Sequence, residues 1–469
     1  MSNERQLSVN LGSRTSMMNL SERLNHKKEC KTDTTRVYNS RTKEVDMAYA
    51  LLESGKLKPV GKCISITSME DLLYYKERII REGEYVLDME TTGLDIFNDI
   101  IVGMCIYVKD LPSVYIPINH TDINNNRIEG QLTEDEVREA WREVFLNPNI
   151  RHILHNAKYD YKVIKWNWGI EISNVYFDTL IGSFLLNEEE PHGLKPLYNK
   201  YILKGQGDSL DFGDYFGNTP FNYIPIEVAT IYGANDGIKT YELYQFQRQY
   251  ITRTHAREDM RKIADVMFNI EMPLIPLLAD IEIRGVEIRE DYANELAVKM
   301  RAELNEVIEA LDKDIESIRD EINKHPDLVR LMSNNGGKLN YGSPGQLQML
   351  FYDVLKLTSG DRKNPRGTGE DILKKLKAKY GIPFIDNLLK YREINKLLTT
   401  YVEKLPKILE PKTGAVHTQF NQLGAKTGRF SSSDKVSKLN LQNIPSHNKD
   451  IRKIFKAREG YYFVGGDFS

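Results

Sequence analysis

The chain has 469 residues, too many for one ordinary hydrophobic core, so roughly two to four domains are expected. Lys and Arg number 64 against 67 Asp and Glu, which excludes a globally basic nucleic-acid binder but leaves room for basic tracks on one face. The three cysteines, Cys30, Cys63 and Cys105, show neither disulfide nor metal-ligand spacing, and no apolar leader or 18-residue apolar run occurs, so a soluble protein of a reducing, cytoplasmic compartment with no membrane partner is expected.

Residues 1–60 are rich in Ser, Thr, Asn, Lys and Arg and poor in aromatic residues, which predicts a flexible N-terminal arm. From residue 61 the character changes. CISITSMEDLLYYKERII reads as a strand, a cap near Ser68 and a helix. YVLDMETTGLD, residues 85–95, follows. Tyr85, Val86 and Leu87 favour a strand, and strand alternation puts Asp88 and Glu90 on one face at its end. Thr91, Thr92 and Gly93 then turn the chain. Two adjacent carboxylates repel unless a cation sits between them. IIVGMCIYV and SVYIPI continue as an antiparallel ribbon. Thr133 with Glu136 forms a capping box before an amphipathic helix. A short strand at 151–154 leads to Asn156 and Asp160, and Asp178 opens another helix. Residues 227–246 read as one long helix, with Tyr232 and Asp236 on one face. This order predicts an α/β domain over residues 61–250. Its four carboxylates and one phenol suffice to hold two divalent ions and position a water against a phosphodiester.

The set Asp88, Glu90, Asp160, Asp236 and Tyr232 resembles the DEDDy 3′–5′ exonucleases. FDTLIGSFLLN and HGLKPLYNKYI, between these motifs, are similar to the proofreading domain of family A DNA polymerases. The resemblance implies a ribonuclease H-like mixed sheet with helices. It implies that Asp88, Glu90 and Asp236 ligate one Mg²⁺ or Mn²⁺ ion, with Asp88 and Asp160 serving a second. It assigns Tyr232 to the attacking water, and Asn156 and Leu94 to the 3′-terminal nucleotide.

Residues 251–408 read as mainly helical. An apolar helix stops at Gly285, and a long amphipathic helix begins at Asp291. Leu296, Met300, Leu304, Val307, Leu311, Ile315, Ile318 and Ile322 form one stripe along it. Ser343 or Gly342 caps a helix starting at Pro344. GDRKNPRGTGEDIL is a basic loop, and residues 388–406 form a helix ended by proline. By resemblance this region is the thumb with its connections. Residues 409–469 resemble the start of the palm, ending within its first catalytic motif. TGR at 427–429 and LNLQNIP look like the family's primer–template track, with Arg429, Asn440, Gln442 and Asn443 donating to minor-groove acceptors shared by all base pairs. Asp467 stands where the family has its first palm aspartate, a catalytic metal ligand.

The resemblance therefore implies a replicative family A polymerase of phage type, working on DNA primer–templates and single-stranded 3′ ends. Phosphoryl transfer by two metals needs at least two carboxylates. Polymerisation is thus expected to require a further C-terminal part, with the fingers and the rest of the palm, on a second polypeptide. Two alternatives stay open: a stand-alone DEDDy exonuclease acting on DNA or RNA, and a non-catalytic DNA-binding subunit.

Overall fold

The computed structural model describes residues 35–252, 258–433, 439–445 and 448–466. The chain forms two units, Met1–Arg284 with Gln419–Val436, and Gly285–Thr418 with Ser437–Ser469.

The first unit is built on a six-stranded mixed sheet. Its strands are β1 (Cys63–Ser65), β2 (Glu84–Thr91), β3 (Ile101–Tyr107), β4 (Ser113–Pro117), β5 (Arg151–Leu154) and β6 (Val175–Asp178), in the order β1-β4-β3-β2-β5-β6. β2, β3 and β4 form an antiparallel meander, while β2–β5, β5–β6 and β1–β4 are parallel. β2 is therefore the seam between the two halves. β3 and β4 are buried almost end to end, as expected of strands covered on both faces. The helices that position the site are α1 (Thr35–Glu53), α2 (Ala157–Trp168), α3 (Leu194–Tyr201), α4 (Ile226–Ile251) and α5 (Met272–Arg284). The predicted capping box at Thr133 and Glu136 and the cap at Ser68 are both present.

In this unit four features differ from the sequence expectations. First, Asp88 and Glu90 lie inside β2 rather than at its end. Pairing with β3 runs on through Glu90 and, past a bulge, to Thr91. Second, residues 35–60 are not a free arm. Ala48 and Leu51 on α1, with Leu57, are buried in one cluster with Tyr215, Phe216 and Val228. Asn235 clamps the following segment: its Nδ2 donates to the Lys58 carbonyl at 2.9 Å, and its Oδ1 accepts from the Val60 amide at 2.7 Å. Third, the boundary between units falls at 284/285 rather than near 250, because Met272, Ile275 and Ala279 join the first core. Fourth, residues 419–436 belong to this unit. Glu282 on α5 accepts from Lys158 and Lys162 of α2, each at 2.6 Å, and from the Phe420 amide at 2.8 Å. A buried carboxylate needs such a full set of partners.

In the second unit a three-stranded sheet places β7 (Val286–Ile288) between Ala415–Val416 and Phe455–Lys456. The long helix α6 (Glu290–Ser317) buries Leu296, Met300, Leu304, Val307, Leu311 and Ile315. The stripe breaks at Ile318, and Ile322 is buried from a separate short helix, Arg319–Asn323. Ser343 caps the Pro344 helix by accepting from the Gln346 amide. The helix expected from 388 begins at Pro383, whose preset φ suits a first helical position. Residues 461–466 have no regular structure, and Tyr462 and Val464 are 91% and 94% exposed. Among the described residues no helix is long and apolar enough to cross a membrane.

Candidate active site

Asp88 and Glu90 project from one face of β2, with buried Met89 between them pointing the other way. Cys105 is the cross-strand partner of Asp88 and so shares that face. Ligand atoms of Asp88, Glu90 and Cys105 lie within 4.8 Å of one another.

Asp160 reaches the same strand from the first turn of α2. Its Oδ1 accepts from the Met89 amide at 3.1 Å. The start of α2 is set by Asp178, which accepts from the amides of Asn156 (2.9 Å) and Ala157 (2.8 Å). Asn156 is held at φ +68°, a left-handed conformation that Asn tolerates, with its side chain exposed.

Tyr232 and Asp236 come from α4, which crosses the ribbon closely at Gly233. A Cβ there would stand 2.5 Å from Cys105 Sγ. Lys195, on α3, donates to Asp236 Oδ2 and, at 3.3 Å, to the Tyr232 hydroxyl. It is 9% exposed.

Crowded acids in a poorly solvated place resist ionisation. Burial, then the charge of Asp236, pushes Asp88 up to about 7. Burial, then Asp88 and Asp236, holds Glu90 well above its usual range. Burial, then Asp88, does the same to Asp160. Burial raises the Tyr232 phenol. Burial opposes the charge on Lys195, but Asp236, Tyr232 and Asp88 outweigh it and keep the ammonium protonated.

These residues fit a divalent-ion centre on their chemistry. Four carboxylates are hard oxygen donors of the kind Mg²⁺ and Mn²⁺ take. Asp236 Oδ1 is buried without a hydrogen bond, and Lys239 Nζ stands 3.6 Å from it.

Leu94 is 61% exposed on the loop after β2. That loop is tied down: Thr91 Oγ1 and Tyr159 OH donate to the Gly93 carbonyl at 2.7 and 2.8 Å. Asp99 accepts from Thr92 Oγ1 at 2.8 Å and from the Asp95 amide at 2.7 Å. Leu94 is thus presented to solvent rather than tucked into the core.

Of the expected palm residues, Arg429 is exposed in the first unit, while Asn440, Gln442 and Asn443 fall in the second. Asn440 Oδ1 accepts from the Gln442 amide at 2.9 Å, which occupies its acceptor and leaves its amino group. Asn440 and Asn443 line a cleft of about 430 Å³ with Lys396, Tyr401 and Lys404. Asp467 lies outside the described residues. Sequence reasoning missed Lys195, Cys105 and Asp178 as parts of the site. Only HGLKPLYNKYI and FDTLIGSFLLN, noted as whole phrases, carried a signal for two of them.

Comparison with known proteins defines the class first. Residues 63–251 match the family described as 3′-5′ exonuclease, and residues 301–469 match DNA polymerase family A. DNA polymerase I of Chloroflexus aurantiacus is 30% identical over 431 residues, covering 88% of this chain and 40% of that protein. DNA polymerase I of Pseudomonas aeruginosa is 32% identical over 403 residues, covering 83% and 40%. The POL domain of Pol1 from M. smegmatis, in a complex with DNA primer-template and dNTP, shares the fold with a TM-score of 0.63 at 21% identity, over 85% of this chain and 59% of that one. The chain thus carries a region matching the 3′-5′ exonuclease family ahead of a region matching DNA polymerase family A, and its relatives across both are DNA polymerases I. It spans about 40% of the length of these two curated relatives.

Proposed function

We propose that the first unit hydrolyses the 3′-terminal phosphodiester of DNA with two divalent ions, as a proofreading exonuclease in replication. The observation that carries this reading is the meeting of Asp88, Glu90, Asp160 and Asp236, from one strand and two helices, at one poorly solvated place beside the Tyr232 phenol. Asp88, Glu90 and Asp236 would hold one ion, with Asp88 and Asp160 holding the other. Bound there, the ions supply positive charge to the attacking and leaving oxygens. Tyr232 orients the attacking water through its hydroxyl. Leu94 and the side chain of Asn156, both exposed, meet the terminal nucleotide.

The second unit is proposed as the primer–template holder. The Lys396 and Lys404 cleft supports this, since its ammonium groups suit phosphates and Asn440 and Asn443 suit sugars and groove edges. Gln442, next to these asparagines in sequence, completes the proposed track of this unit. Nucleotide addition is proposed for an assembly that adds to Asp467 a second carboxylate and a site for the incoming triphosphate, on one polypeptide or two.

The test uses single strands labelled at either end, with Mg²⁺ or Mn²⁺, in DNA and RNA versions. The proposal expects loss of mononucleotides from the 3′ end of DNA only when metal is present. Attack from the 5′ end, or metal-independent cutting, overturns it. Trimming of RNA at the DNA rate would favour the stand-alone exonuclease.

A further inference from the structure

Lysine is among the residues least often buried, and a buried ammonium is costly unless paired. Lys195 is buried beside the acidic cluster. Helix α3 is anchored there by Leu194 and Leu197, which pack on Leu243 of α4. The ammonium is 4.8 Å from the centre of the Tyr232 ring, donates to its hydroxyl and donates to Asp236 Oδ2. The ring is also packed edge-on by Phe212, Tyr215 and Phe216, at 5.9, 6.2 and 5.5 Å between centres, and by Phe221, tilted, at 6.0 Å. Phenylalanines restrain a ring but offer no partner to its hydroxyl. Asp236 is divided: Oδ2 is held by Lys195, while Oδ1 has no hydrogen bond.

We propose that Lys195 is a positioning residue of this site. Its ammonium holds the Asp236 carboxylate and the Tyr232 phenol in register and supplies positive charge within the acidic cluster before divalent ions bind. The proposal rests on the exonuclease reading. Removing the ammonium has opposed consequences. The cluster becomes more negative, so divalent ions bind at least as tightly. The phenol and carboxylate lose their register, so turnover slows. A lysine that only supported the fold would weaken both together.

The experiment uses the full chain and compares Lys195→Met, which keeps the stem, with Lys195→Arg, which keeps the charge in a different shape. Mn²⁺ affinity of the metal-free protein is measured by calorimetry. The kcat and KM for trimming a 3′-labelled DNA strand are measured at saturating Mn²⁺. Lys195→Met is expected to bind Mn²⁺ no more weakly than the unmodified chain, with kcat down by about tenfold or more and KM changed by less than about twofold. Lys195→Arg is expected to recover part of kcat. Unchanged kcat in Lys195→Met, or parallel loss of Mn²⁺ affinity and kcat, overturns the proposal. If Lys195→Met gives no cooperative melt, Lys195→Arg decides: reduced kcat at unchanged Mn²⁺ affinity supports the proposal, and full kcat overturns it. An unmodified chain that trims nothing sinks the exonuclease reading instead, and the Mn²⁺ affinities still report on Lys195.

Discussion

The Met89 amide donates to Asp160 Oδ1 at 3.1 Å, so a backbone group between Asp88 and Glu90 fastens α2 to β2. Asp160 thereby has a structural duty as well as its proposed place at an ion. The two separate by substitution. Asp160→Asn keeps an acceptor for Met89 and removes a charge that burial and Asp88 disfavour. The metal-free variant is expected to melt no lower than the unmodified chain, yet to lose most of the stabilisation that Mg²⁺ confers. Asp160→Ala leaves the buried amide unpaired and should cost about 1–3 kcal/mol. Thermal melts with and without Mg²⁺ check both.

The approach of α4 to the sheet gives a second prediction. Alanine at Gly233 would put its Cβ 2.5 Å from Cys105 Sγ, inside the core. Overpacking of this kind costs about 1–3 kcal/mol. Gly233→Ala should lower the urea midpoint and slow trimming, because Tyr232 and Asp236 move with the helix. Adding Cys105→Ala removes the obstructing sulfur and should recover part of the lost stability. Simple additivity of the two changes in a double-mutant cycle would contradict the close contact.

Much of this site was legible because its signals are local. Strand alternation placed Asp88 and Glu90 together, and the capping box at Thr133 and the helix bearing Tyr232 and Asp236 follow short spacings. Cys105 was hidden because its place depends on the β2–β3 register. Lys195 meets partners 37 and 41 residues away, a pairing no periodicity announces. Glu282 joins Phe420 across 138 residues, so the membership of 419–436 in the first unit could not be read from composition. The helix at 35–53 was obscured by its polar first half; the buried Ala48 and Leu51 stand towards its end.

Two buried histidines set a pH dependence outside the acidic cluster. His120 Nδ1–H donates to the Ile224 carbonyl at 2.9 Å, so its Nε2 accepts from Tyr115 OH at 2.6 Å, and the ring is neutral. His152 is wholly buried, with Nδ1 donating to the Asn174 carbonyl at 3.0 Å. Burial lowers both to about 4. The unfolded chain takes up these protons near 6.5, which the native state refuses until about 4. Their contribution to stability is therefore complete above about 6.5 and falls by about 1.4 kcal/mol per pH unit per histidine as pH drops towards 4. Site-resolved NMR titration should show both imidazoles neutral at pH 5. A midpoint near 6.5 for either contradicts its burial.

Asn235, the helix residue next to Asp236, ties the N-terminal segment to that helix. Asn235→Ala removes its bonds to Lys58 and Val60 at once and should cost about 1–3 kcal/mol. Hydrogen exchange should rise at 58–60 first. Unaltered protection there would contradict the clamp.

The central claim is that Asp88 belongs to a metal-dependent hydrolytic centre. Its most direct test is the trimming rate of a 3′-labelled DNA strand at saturating Mg²⁺, for the unmodified chain and for Asp88→Ala. The account predicts steady trimming by the first and a loss of about a hundredfold or more in the second, with the variant's fold retained. Equal rates for the two chains, or no trimming by either, would contradict it.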